Sequence, residues 1–246
     1  MTEAEPPQLP AWRPDAAGVS DLLTKAEFTA CELLPWGSNY TFLAHLDGGE
    51  AGPGLAIYKP RKGEAPLWDF PDGTLYRREY GSYLLGEALQ WCFIPPTVIR
   101  EGPHGIGSLQ LFIPSVRGAS YFSIREERAA DLQCVAAFDC LTNNADRKGG
   151  HCLLGVDGRV WGIDHGLTFN IEPKLRTVIW DFQLEPIDGA LLTDLRRVCA
   201  DDDLMRRLAR QLDPREVQAF RRRCERAIRE GVFPALTSRR SIPWGW

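Results

Sequence analysis

The chain has 246 residues, 44% hydrophobic and 25% charged, the usage of an ordinary folded protein and far from that of collagen, disorder or a disulfide scaffold. A chain this long buries well over half of its unfolded surface, so it needs no metal or staple to fold. Twenty-nine Lys plus Arg against 33 Asp plus Glu leave a formal charge of -4, which argues against a dedicated nucleic-acid binder. Seven cysteines form no CxxC pair and read as free thiols of a reducing compartment. The proline-rich, acidic start lacks the features of an export signal, and the most apolar stretch, LLGEALQWCFIPPTVI, is broken by Glu87 and Pro95-Pro96. A cytoplasmic protein without a transmembrane segment is therefore expected.

Residues 1–18, rich in Pro and acids without an apolar period, read as a mobile or loosely docked arm. FTACELLP (28–35) and YTFLAHL (40–46) read as strands around a polar turn, WGSN. LAIYKP is a third strand, with Leu55, Ile57 and Lys59 on one face and Pro60 at its end. Residues 75–90 place Tyr76, Tyr80, Tyr83, Leu84 and Ala88 at helical spacing. PPTVIREGPHGIGSLQLFIP then predicts two more strands, so residues 19–114 form an antiparallel lobe with one helix.

Residues 115–246 are richer in helix. Leu132, Val135, Ala136 and Cys140 share a stripe on a helix over 126–142, ended by Asn143-Asn144. Three helical stretches follow residue 186, the last opened by Asp213, Pro214 and Glu216 as N-cap, first turn and capping-box partner. Its Arg-rich face, Arg221 to Arg223 included, reads as solvated surface.

The chemistry concentrates in residues 138–169. Asp157-Gly158 between two apolar runs signals a hairpin, and a two-residue turn there sets Val156 opposite Arg159 and His151 opposite Asp164. Directly opposed residues have Cβ atoms about 4.5–5.5 Å apart, close enough to share a cation. Asp146, five residues before His151 in a glycine-containing loop, can fold over the same mouth, and the cluster suits Mg²⁺ or Mn²⁺. Taken singly these residues also suit plainer roles: an Asx-turn cap for an Asp, or an ion pair with Arg147. Lys59, on an otherwise apolar strand face, calls for a carboxylate that Glu79 can supply, or else serves as a solvating edge residue. Gly37, Ser38 and Asn39 could cover phosphates through backbone N–H groups.

Together IYKP, the helix with Glu79, NNADRKGGHCLL and GIDHGLTF resemble, in order, the phosphatidylinositol 3- and 4-kinase superfamily, above all the type II phosphatidylinositol 4-kinases and their small bacterial relatives. The resemblance implies a two-lobed, α+β, protein-kinase-like fold with ATP between the lobes. It implies that Lys59 binds the α- and β-phosphates and pairs with Glu79, that Asp146 orients or deprotonates the acceptor hydroxyl with Arg147 and Lys148 near the γ-phosphate, and that Asp164 holds the metal. His151 stands where the family has a metal-binding Asn, which shifts the expectation toward Mn²⁺. The adenine would lie against Leu111-Phe112-Ile113, with Phe112 or Ile113 as donor because Pro114 has no N–H. Two functions follow: an ATP-dependent phosphotransferase acting on a lipid, protein or small-molecule hydroxyl, or a nucleotide-binding pseudokinase serving as a regulatory module. A metal-dependent hydrolase built on Asp146, His151, Asp164 and His165 ranks last, since His165 should point away from Asp164.

Overall fold

A computed structural model describes residues 12–35, 39–236 and 238–244. A short helix, α1 (Val19–Lys25), leads into an antiparallel sheet of β1 (Glu27–Leu34), β2 (Thr41–Asp47), β3 (Pro53–Pro60), β4 (Thr97–Gly102) and β5 (Gly105–Leu111), in the order β1-β2-β3-β5-β4. Helix α2 (Leu75–Leu89) lies between β3 and β4 in sequence. Then come α3 (Tyr121–Ile124), α4 (Ala129–Thr142), the hairpin β6 (Cys152–Leu154) and β7 (Val160–Gly162), and helices α5 (Gly189–Cys199), α6 (Asp202–Ala209) and α7 (Pro214–Glu230). Among the described residues two large hydrophobic cores result, one under the sheet and one among the helices, with a small third cluster of Phe70, Leu75 and Ala145, as suits a two-lobed α+β fold.

The two-residue period of β3 sorts its side chains. Ala56 and Tyr58 are fully buried in the sheet core with Leu46, Leu109 and Leu111, which leaves Leu55, Ile57 and Lys59 on the opposite face, toward the second lobe. The expected mobile or loosely docked arm is only partly described. Of its residues, Trp12 is buried in the sheet core and donates its indole N–H to the Gly52 carbonyl at 3.2 Å. Gly54 has no Cβ because one would overlap the Trp12 ring. Trp12 thus anchors the segment on the sheet while Arg13 and residues 15–18 stay exposed, since the apolar area of one tryptophan outweighs the polar composition around it.

Helix α2 departs from the expected tyrosine stripe. It is buried on nearly all sides, because it packs on β4 and β5 with one face and on α5 and α6 with another. Tyr80 and Tyr83 are half-buried, whereas Arg78, Glu79 and Ser82 are buried. Arg78 donates to the Thr168 carbonyl at 2.6 Å and to Glu216 at 2.6 Å. Glu216 is also the return arm of the α7 capping box, bonded to the Asp213 N–H at 3.0 Å, as the sequence pattern predicts. At the end of α4, Asn143 takes the left-handed conformation (φ 55°). No helix among the described residues is long and apolar enough to cross a membrane.

Removing one partner of a buried ion pair leaves an uncompensated charge, which costs about 3–5 kcal/mol. Glu216→Ala is therefore expected to lower unfolding free energy by about that amount in urea titrations, while Arg215→Ala, at an exposed neighbour, changes it by less than about 0.5 kcal/mol.

Candidate active site

The β3 lysine and the α2 glutamate meet as the sequence implies. Lys59 Nζ bonds Glu79 Oε1 and, on its other side, Asp164 Oδ1 at 2.8 Å. Glu79, 3% exposed, uses its second oxygen to accept the His165 backbone N–H at 2.9 Å. One carboxylate thereby ties the sheet lobe to the segment that carries Asp164. Burial works against the ammonium of Lys59, but the charges of Asp164 and Glu79 outweigh it and hold its pKa above the ordinary lysine value. The same ammonium holds the Asp164 carboxyl well below the usual carboxylate range.

His151 and Asp164 also meet, but not through the predicted pairing. The hairpin register is Cys152 with Gly162, Leu153 with Trp161 and Leu154 with Val160, one residue out of step with a two-residue turn. Gly155 donates to the Arg159 carbonyl at 2.8 Å, so the loop holds three residues, Val156 to Gly158, with Gly158 at φ 78°. Asp157 caps this turn through the Arg159 N–H (3.1 Å) and the Trp161 indole. Ile163, not Asp164, faces His151 on the backbone. Asp164 reaches His151 because its own backbone turns left-handed (φ 60°) just past the strand, which brings Oδ2 to 3.3 Å from His151 Nε2.

The loop before the hairpin carries Asp146, half-buried and paired with Lys148 at 3.0 Å. Burial raises the Asp146 pKa and the like charge of Asp164 adds to it, against the pull of Lys148. Arg147, expected near the γ-phosphate, is not available for that role. It is fully buried, bonded to both Asp139 oxygens at 3.0–3.1 Å, to the Ile163 carbonyl at 2.8 Å and to His165 Nε2 at 2.8 Å. Nor does it pair with the acidic cluster. Asn144 completes this underside, donating to Asp139 at 2.9 Å and accepting the Asp146 N–H at 3.0 Å. Asp139 is a site-shaping residue that the residue pattern alone did not single out, and Asn144, read only as a helix end, and the buried His165 join it. The signal for Asp139 was present, since a carboxylate within an apolar helical stripe has to find a buried cation. His165 points away from the cleft as expected, toward Arg147 and Phe138.

On the connector, Phe112 is removed as the adenine donor because its N–H is bonded to the Leu55 carbonyl at 3.0 Å. Ile113, whose N–H has no backbone acceptor among the described residues, is left for that role. Asn39 spends its side chain holding the Ala65 N–H at 2.7 Å, and Gly37 and Ser38 lie outside the described residues.

Among the described residues no three His, Cys, Asp or Glu are grouped to hold a metal ion. Asp164 alone suits a hard divalent cation whose remaining ligands come from phosphate oxygens and water, the usual manner of Mg²⁺. His151 does not suit it in this arrangement. Its Nδ1 accepts the Lys148 N–H at 3.3 Å, so the neutral ring carries its hydrogen on Nε2, the nitrogen that faces Asp164, and offers no lone pair there.

Burial pushes the His151 pKa from 6.5 down to about 4, against the attraction of Asp164. Between those values the unfolded chain takes up a proton that the folded chain refuses, so this residue's contribution falls as pH is lowered through the window. At 1.36 kcal/mol per unit the change is at most about 3 kcal/mol. The stability of His151→Asn relative to the unsubstituted chain is therefore expected to rise by up to that amount between pH 6.5 and 4 in urea unfolding. An offset that is the same at both ends contradicts this.

No family model matches the chain. Protein Rv2133c of Mycobacterium tuberculosis is 36% identical over 91% of this chain and 93% of its own length. Among solved structures, the Golgi casein kinase with Mn/ADP bound aligns over 87% of this chain and 74% of its own with a TM-score of 0.55 at 13% identity. Hydra Fam20 with sugar aligns over 86% and 87% with a TM-score of 0.58 at 15% identity. At these identities the likeness concerns the fold, which is kinase-like, and it carries no support for the phosphatidylinositol kinase branch in particular. The chain belongs to the family of mycobacterial protein Rv2133c, on a protein-kinase-like fold.

Proposed function

We propose that the chain is an ATP-dependent phosphotransferase that passes the γ-phosphoryl group to a hydroxyl acceptor. The observation that carries this reading is Lys59 held between Glu79 and Asp164, with Asp146 on the adjoining loop. A lysine on a strand, fixed by a helix glutamate and reaching an acid past a hairpin, is an arrangement made for positioning phosphates. The neighbour solved with Mn/ADP fits the same reading.

In this reading Lys59 turns from Asp164 to the α- and β-phosphates while Glu79 keeps its stem in place. Leu55 and Ile57 offer an apolar wall to the adenine, and the Ile113 N–H offers one donor. Asp164, released from Lys59, holds a divalent cation, which would neutralise charge on the transferring group. Asp146 orients the acceptor hydroxyl and takes its proton as the new O–P bond forms and the bond to the departing ADP oxygen breaks. Its raised pKa makes it a better base than an exposed carboxylate. Lys148 lies beside it as a cation for the γ-phosphate, the role from which burial removes Arg147. The order of the motifs is the support for a phosphatidylinositol kinase relationship; after Asp164, NIEPKLRTVIWDF supplies only Lys174 and Arg176 as cations for a lipid surface.

One observation favours the second reading, a nucleotide-binding module without turnover: His151 presents an N–H rather than a lone pair where a second metal ligand is expected. The two separate by experiment. ATP consumption is expected with Mg²⁺ or Mn²⁺, and Asp146→Asn is expected to lower it roughly 10²–10⁴-fold with nucleotide binding retained in calorimetry. Asp164→Asn is expected to lower turnover together with metal-dependent nucleotide affinity. Binding of ATP without consumption in either metal supports the module instead.

A further inference from the structure

Apart from the cleft, the helical lobe contains a cavity of about 800 Å³, within the size range of small-molecule sites. It lies between α4, α7, the segment 171–176 and residues 232–235 and 238–241. Neither Lys59, Glu79, Asp146, His151 nor Asp164 lines it. Leu141, Ile187, Leu195, Ala219 and Phe233 contribute apolar surface. Lys174, Arg176, Arg222, Arg223, Arg226 and Arg240 also line it, against a single acid, Glu230, in a protein whose net charge is -4.

These cations are poorly compensated. Lys174 pairs with Asp69 at 3.0 Å, and Glu230 with Arg229, at 3.4 Å. Arg176, Arg222, Arg226 and Arg240 have no carboxylate within ion-pair distance among the described residues. Arg222 and Arg226 stand one turn apart on α7, where like charges repel. Arg223, expected to be solvated, is turned inward instead. Its Nε and Nη1 donate to the carbonyls of Leu141 (2.7 Å) and Asn170 (3.1 Å), and its Nη2 is buried without an acceptor. Burial without a carboxylate lowers its pKa to about 10. Arginines without carboxylate partners beside an apolar floor give the lining an excess of positive charge that an anion would answer.

We propose that this cavity binds a phosphate-headed amphiphile, with the head held by Arg222 and Arg226 and the apolar body on the Leu141, Ile187 and Phe233 surface. Two guanidinium groups one turn apart on α7 suit a doubly charged head, and Arg forks match phosphate oxygens two at a time. The wall formed by Arg176 is bonded to the catalytic loop through the Asn144 carbonyl (2.8 Å) and the Arg147 N–H (3.0 Å), so an occupied cavity abuts the loop of Asp146. This inference does not rest on the phosphotransferase reading.

Calorimetry of the full chain with octyl phosphate, 1-octanol and inorganic phosphate tests it, beside flotation with phosphatidylcholine vesicles containing phosphatidic acid. Octyl phosphate is expected to bind one to one and at least about tenfold more tightly than either fragment. The double variant Arg222→Glu/Arg226→Glu, on exposed positions, is expected to keep its melting temperature and lose roughly tenfold or more of that affinity. Equal binding of octanol, equal binding of inorganic phosphate, or an unaffected double variant overturns the proposal. So does capture by acidic vesicles with no binding of monomeric octyl phosphate, which makes the face a membrane contact.

Discussion

The ammonium of Lys59 sits at the crossing of everything that matters in this molecule. It comes from the sheet, is gripped by Glu79 from α2, and reaches Asp164 beyond the hairpin. A lysine taken this far out of water is unfavourable by itself, and two carboxylates make it favourable. The charge arithmetic also decides what the cluster can do. Two acids on one base leave surplus negative charge, and that surplus is what a phosphate-bound cation would relieve.

Rigidity beneath the cluster comes from a second, fully buried set of charges. Arg147 ties Asp139 of α4 to the end of β7 and to His165, so the loop with Asp146 and the bend with Asp164 are fastened to one point. Arg78 and Glu216 do the same between α2 and α7. Buried pairs of this kind add little net stability over apolar packing, but they fix relative positions, because breaking one leaves a charge with nowhere to go. The backbone at Asp164 is left-handed within this framework, a conformation that an aspartate tolerates and that turns its carboxylate toward the cleft.

Much of this was legible in the residues. The alternation in β3 put Lys59 on the correct face, Glu79 was its partner, and the Asp213-Pro214-Glu216 signal opened α7. What failed did so for identifiable reasons. The Asp-Gly signal located the hairpin but not its loop length, and a one-residue difference changed every pairing; His151 and Asp164 came together because a left-handed residue undid the shift. The family resemblance implied a place near the γ-phosphate for Arg147, whereas its place is decided by Asp139, eight residues earlier on a helix. The tyrosine stripe on α2 misled because a helix packed between the sheet and the helical lobe keeps only a narrow exposed strip, with Arg77 and Glu87, to define a stripe. The family resemblance was right about the two-lobed fold, and the chain's measured kinship is with protein Rv2133c.

In the proposed function Lys59 exchanges a carboxylate for a phosphate when nucleotide arrives. Nitrogen-15 NMR of the lysine side chains, with Lys59 assigned by the Lys59→Arg variant, reads this directly. Addition of ATP and Mg²⁺ should move the Lys59 resonance as its contact with Asp164 is replaced. A Lys59 signal that stays in place while ATP demonstrably binds contradicts the account.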